Sequence, residues 1–277
     1  MQVFEPVDGG GSLKFRAPHF CETLSGVKLI HPVVIGRSIE GREIEVLAGV
    51  EGGTLLIGGI HGDEPATISL VREFLPCAEG RVALLPVLNP DGAARGTRYN
   101  SRGVDLNRNF GFSWRADSIE PPGPGPWSEP ESRALRDFIL AWRPARIVAL
   151  HWALGEIDAD GAQSTPLATA MWDAMSASER SPYRLRVTPE AGRDAVLECP
   201  GSLGQWAGWG LAYPDGSRPA MITLELPHEP VAARAEPLPE DHVQTVRARW
   251  ARDAEGYLAD VRGGIGKMLR AACAAGM

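Results

Sequence analysis

A chain of 277 residues with 44% apolar and 23% charged residues has the makeup of an ordinary globular protein, one large domain or two small ones. A net charge of −7 without Lys/Arg runs argues against nucleic-acid or anionic-membrane partners, and no stretch approaches the roughly eighteen apolar residues of a membrane span. The start, MQVFEPVDGGGSLKF, lacks the basic-then-apolar pattern of a secretion signal, and Cys21, Cys77, Cys199 and Cys273 form no C-x-x-C pair, so reduced thiols and a cytoplasmic setting are expected.

Residues 1–30 are Gly-rich and weakly patterned, an N-terminal extension read as loop with room for a short helix. The runs VVIGRS and EIEVLAGV, broken by Gly41, predict hairpin strands, and TLLIGGI a buried strand after them. PATISLVREFL (65–75) has apolar residues at helical spacing, with Pro65 suited to the first turn. VALLPVLN (82–89) predicts a strand buried on both faces. Residues 111–127, ending in PPGPGPW, can be neither helix nor central strand. Ser128 followed by Glu131 has the capping-box pattern for the helix EPESRALRDFILAW. IVALH (147–151) and MITLEL (221–226) predict further buried strands, and residues 240–277 one or two amphipathic helices. Strands alternating with helices predict an α/β fold, one catalytic domain over 1–277 with a mostly parallel central mixed sheet flanked by helices. In such sheets sites gather at the C-terminal ends of strands.

Chemistry sits at those ends. TLLIGGI runs into His61-Gly62-Asp63-Glu64, and a His and a Glu three apart on a turn can aim at one atom. Gly58, Gly59 and Gly62 crowd the same turn, as close backbone packing would require. His151 closes the strand IVALH; alone it reads as a core-edge histidine bonded to backbone. With His61 and Glu64 it completes three protein ligands and an open position, the pattern of a catalytic zinc, one per chain. Glu225 lies within the apolar strand MITLEL. It is either solvent-facing on an edge strand or a general base beside the metal, because a buried carboxylate without a partner is costly. Arg98 and Arg108 flank the run RYNSRGVDLNRNF; each is either ordinary surface charge or a bidentate carboxylate binder.

Taken together, His61-x-x-Glu64, Asn89-Pro90-Asp91-Gly92, Arg98, the run from Gly103 to Phe110 (GVDLNRNF), His151 and Glu225 resemble the zinc carboxypeptidases related to carboxypeptidase A, the funnelins. GRSIEGREI (36–44) resembles that family's opening hairpin, and the likeness spans residues 32–228. The small size, the SEPESRAL helix opening and CPGSLGQW (199–206) resemble the family's bacterial murein peptide amidases. The resemblance implies that His61, Glu64 and His151 bind zinc and that Arg98 stabilises the oxyanion. It implies that Asn107 and Arg108 hold the free carboxylate of the leaving residue and that Glu225 is the general base. The implied substrate is a small peptide with a free carboxylate, cut between γ-D-glutamate and meso-diaminopimelate during cytosolic cell-wall recycling, with no nucleic-acid or membrane partner.

Two departures stand out. The family's substrate-binding tyrosine has no counterpart in GRDAVLECPG, where Leu197 stands near its place, which puts capping of the substrate terminus in doubt. Trp152, directly after the third ligand, is a candidate for reshaping the pocket. Competing functions are an N-acyl amino acid deacylase of the aspartoacylase or succinylglutamate desuccinylase kind and a non-catalytic peptide-binding relative. The sequence leaves the exact peptide, the oligomeric state and the resident metal open.

Overall fold

A computed structural model describes residues 23–24, 27–28, 31–49, 51–74, 81–187, 199–227 and 254–274. Its centre is an eight-stranded mixed sheet of order β3-β4-β6-β5-β7-β10-β8-β9. Two short strands, β1 (Thr23–Leu24) and β2 (Val27–Lys28), pair with each other apart from it. The hairpin expected from Gly41 is present as antiparallel β3 (His31–Arg37) and β4 (Glu43–Ala48). β5 (Thr54–Ile57) and β6 (Val82–Leu85) are fully buried and parallel, joined through helix α1 (Pro65–Glu73). β7 (Arg146–Trp152) lies parallel between β5 and β10 (Ala220–Leu226). β8 (Glu156–Asp160) runs antiparallel to β10, and β9 (Arg184–Val187) closes the far edge.

The sheet separates two apolar layers. One holds Leu56, Val148, Leu150, Ile222 and Leu224 against α1, α4 (Thr165–Asp173) and the C-terminal helix. The other holds Leu55, Ile57, Ile147, Ala149 and Met221 against α3 (Pro130–Trp142) and the loops after β6. Side chains alternate across a strand, so the residue after each layer-two position belongs to layer one. This parity decides which strand-end residues meet.

Two expectations need correction. The run 82–89 is strand only to Leu85, where its pairing with β5 ends; Pro86 follows, and Asn89 instead caps α2 (Pro90–Arg95), its side chain accepting the Gly92 N–H at 2.8 Å. The capping box at Ser128 does not form. Helix α3 begins at Pro130 with Glu129 as its N-cap, the Ser128 hydroxyl donates to Glu129, and Glu131 accepts from the backbone of Ile39. Buried Asn109 supplies the missing acceptor, taking bonds from Glu129 N–H and Ser132 Oγ. A box of that kind is found at α5 (Ala177–Arg180), between Ser176 and Glu179. Of the expected C-terminal helices, α6 (Ala254–Ala274) is described; residues 240–253, like the extension before Thr23, lie outside the described residues. Among the described residues no helix is long and apolar enough to cross a membrane.

Candidate metal centre and substrate cleft

His61 sits on the turn leaving β5, and Glu64 caps α1 just after it. Gly62 is required there: a Cβ would overlap the Gly92–Ala93 backbone, so the turn lies flat against α2. β7, beside β5, brings His151 to the same end of the sheet and the same face. His61, Glu64 and His151 each expose 2% or less of their surface. Among the described residues they form a group whose potential ligand atoms converge. His61 Nδ1 is 2.9 Å from Glu64 Oε1 and 3.3 Å from His151 Nδ1, and His151 Nδ1 is 3.5 Å from Glu64 Oε2. Four-coordinate zinc with bonds of about 2.1 Å holds its ligand atoms about 3.4 Å apart. The donor set and its spacing therefore fit that metal.

Behind His61 stands Asp105, fully buried, with Oδ1 3.1 Å from His61 Nε2. A carboxylate on the far ring nitrogen fixes the tautomer that leaves Nδ1 facing the centre. Arg98 donates to the other oxygen of Asp105 through Nε (3.1 Å) and Nη2 (2.9 Å), and its Nη1 lies 3.3 Å from His61 Nδ1. Arg98 is thus oriented beside the ligand set, its carbonyl receiving Asn89 Nδ2. Burial alone would raise the Asp105 carboxyl, but His61 and then Arg98 outweigh it and hold it well below the carboxylate range. Burial likewise disfavours charge on His61, yet Glu64 and Asp105 overcome it and push the imidazole up to about 9.

Glu225 is neither on an edge strand nor solvent-facing in the ordinary sense. β10 lies between β7 and β8, and in the parallel register Glu225 is opposite His151, so the two share a face. It is half-buried, with Oε2 out of solvent. The GVDLNRNF run forms a 3-10 turn, Leu106–Arg108, capped by Asp105 Oδ1, which takes the Asn107 N–H at 2.8 Å. Asn107 Oδ1 accepts the Leu203 N–H at 3.0 Å, tying this turn to the CPGSLGQW segment. Arg108 is half-buried, bonded to the Asn107 carbonyl at 2.7 Å, with Nη2 3.9 Å from Cys199 Sγ.

The departures resolve differently. Leu197 lies outside the described residues, but all four tyrosines are placed elsewhere: Tyr99 on Glu120, Tyr213 on the Pro144 carbonyl, Tyr257 on the Pro227 carbonyl, and Tyr183 buried in layer one. Trp152 does not shape the pocket. Strand alternation sends it to the face opposite His151, where its ring centroid lies 5.3 Å from Tyr257 and its Nε1 donates to Pro227. Asp105 received no role from the sequence, although the signal was available: a ligand histidine held in one tautomer needs such a carboxylate, and Asp105 is in the motif.

The description "zinc carboxypeptidase" belongs to the family model that matches residues 78–153. Murein peptide amidase A of Vibrio campbellii is 31% identical over 226 residues, 74% of this chain and 82% of that protein. Murein peptide amidase A of Escherichia coli K12 is 32% identical over 170 residues, 55% of this chain and only 64% of the relative's length. Among solved structures, murein-tripeptide amidase from Escherichia coli O157 superposes with a TM-score of 0.52 at 25% identity, covering 80% of this chain and 90% of that one. With a relative 31% identical and aligned over 82% of its length, and with the sheet shared with a solved structure, the chain belongs to the zinc carboxypeptidase family.

Proposed function

We propose that this chain is a zinc-dependent metallopeptidase that hydrolyses the amide bond before a residue bearing a free carboxylate, with γ-D-glutamyl-meso-diaminopimelate of murein peptides as the substrate. The observation that carries the reading is the convergence of His61, Glu64 and His151, with Asp105 bonded behind His61. Zinc in such a site polarises the scissile carbonyl and lowers the pKa of water.

The chain's own residues supply the remainder. Asn107 and Arg108 hold the free carboxylate of the leaving residue and so set which bond reaches the centre. Arg98, fixed by Asp105, presents its guanidinium to the oxygen on which negative charge develops. Glu225 takes the proton from the attacking water and returns it to the departing nitrogen. The murein relatives favour the cell-wall peptide, and a cytoplasmic place in wall recycling accompanies that choice.

The test is mass spectrometry of L-Ala-γ-D-Glu-meso-diaminopimelate after incubation with zinc-loaded protein. Free diaminopimelate is expected, and none after chelation. Intact peptide alongside release of amino acid from N-acyl amino acids would replace this reading with a deacylase.

A further inference from the structure

The turn that carries His61 and Glu64 is closed by one hydroxyl from outside the ligand set. β5 ends at Ile57, and Gly58 is still tied to the β6 side, its N–H donating to the Leu85 carbonyl and its carbonyl accepting from Leu88. Gly59 then takes a left-handed φ of +56°, which swings the chain out of the sheet toward His61. A side chain has no room there: a Cβ would stand 2.9 Å from Ile68 Cγ1 and 3.1 Å from the Pro86 carbonyl oxygen. Both polar groups of Gly59 are held. Its carbonyl accepts the Asn89 N–H at 2.9 Å, and its N–H donates to Thr67 Oγ1 at 3.0 Å.

Thr67 lies in the first turn of α1 and has no exposed surface. Its hydroxyl donates in turn to the Glu64 carbonyl at 2.8 Å, the bond to the residue three earlier that a helical threonine can make. One hydroxyl, donating once and accepting once, therefore bridges residues 59 and 64 and closes the loop that holds both ligands. Glu64 is the N-cap residue of α1, yet its side chain does not cap the helix; the carboxylate is turned toward His61 and His151. With that side chain committed to the metal centre, the backbone of Glu64 is fixed from Thr67 instead.

We propose that Thr67 is a positioning residue of the metal centre: its hydroxyl locks the Gly59 kink onto the backbone of Glu64, so that His61 and Glu64 face each other before the metal arrives. The proposal rests on the metallopeptidase reading, with His61 and Glu64 as zinc ligands. Preformation matters because a loop ordered only on binding spends part of the binding free energy on its own ordering.

Two substitutions separate the hydroxyl from the volume it occupies. Thr67→Val keeps the shape but leaves the Gly59 N–H without its acceptor, whereas Thr67→Ser keeps the hydroxyl and deletes a buried methyl. In a chelator competition, zinc affinity should fall on the order of 10- to 100-fold in Thr67→Val and stay near the wild type in Thr67→Ser. Loaded with cobalt, which such ligands also accept, Thr67→Val should show altered visible absorption bands and Thr67→Ser the wild-type spectrum. A structural role alone would make zinc affinity follow the unfolding temperature of the metal-free protein in both variants, and that result overturns the proposal, as does wild-type affinity in Thr67→Val. If Thr67→Val does not fold, the wild type decides: the Gly59 amide should resist hydrogen exchange in the metal-free protein as it does with zinc, and protection that appears only with zinc overturns the proposal. A wild-type protein that takes up no zinc sinks the metallopeptidase reading and this proposal with it. Zinc bound equally well by all three proteins sinks this proposal alone.

Discussion

Around His61 the charges are sealed: His61, Glu64, Asp105 and His151 each expose 2% or less. Asn107 and Arg108, on the turn that Asp105 caps, are half-buried. Buried charges survive only when they satisfy one another, and removing one leaves the others unpaired at several kcal/mol. Half-exposed charges are screened, and losing one is graded. The metal side should therefore fail as a unit and the substrate side by degrees.

The largest effect should come from His61→Ala, which removes a ligand and the partner of both Glu64 and Asp105. Metal and activity should be lost almost entirely; stoichiometric zinc in the purified variant, by elemental analysis, would break the assignment. Glu225→Gln belongs to neither side. It keeps shape but cannot take a proton, so turnover should fall roughly two to four orders of magnitude while zinc and substrate affinity persist. Near-normal single-turnover rates would refute the base role.

Asp105→Asn tests the sealed side more finely. The amide can still accept from His61 but brings no charge, and zinc affinity should drop roughly 10- to 100-fold in a chelator competition. The pH dependence sharpens this. His61 is held at about 9, so below that pH zinc must expel its proton, and affinity should fall about tenfold per pH unit as pH drops. Asp105 is one of the charges that raise His61, so the variant should reach its plateau affinity at lower pH than the wild type. Coincident titrations would contradict the linkage. On the open side Arg108→Lys keeps charge but loses the planar fork, and substrate use should weaken roughly tens-fold. Amidating the substrate carboxylate should hurt the wild type similarly and add little in the variant.

The same contrast explains what the sequence disclosed. The meeting of His61 and His151 was legible because His61 follows the apolar run TLLIGGI and His151 lies in the apolar strand β7, where a polar side chain is out of place without a task. Glu225 was legible for the same reason in MITLEL. The capping box at Ser128 misled because Asn109, nineteen residues earlier, supplies the acceptor that local spacing assigned to Ser128. Trp152 misled because one step along a strand reverses the face, and adjacency in sequence to His151 meant separation by the whole thickness of the sheet.

That reversal has a consequence for the order in which the molecule can be finished. Trp152 and Tyr257 both donate to the Pro227 carbonyl, and Thr54 donates to the Ala272 carbonyl, so α6 clasps the strands bearing His61, His151 and Glu225 from behind. Tyr257, Ile265 and Met268 have no exposed surface, so this helix forms part of the floor beneath those strands. Every residue assigned to chemistry is synthesised before that floor exists. A chain still emerging from the ribosome would hold its ligands on an unsupported sheet, and hydrolytic competence would begin only once α6 is in place; a chain cut before Ala254 should bind zinc weakly, and one that held it as tightly as the 277-residue chain would show the sheet needs no such support.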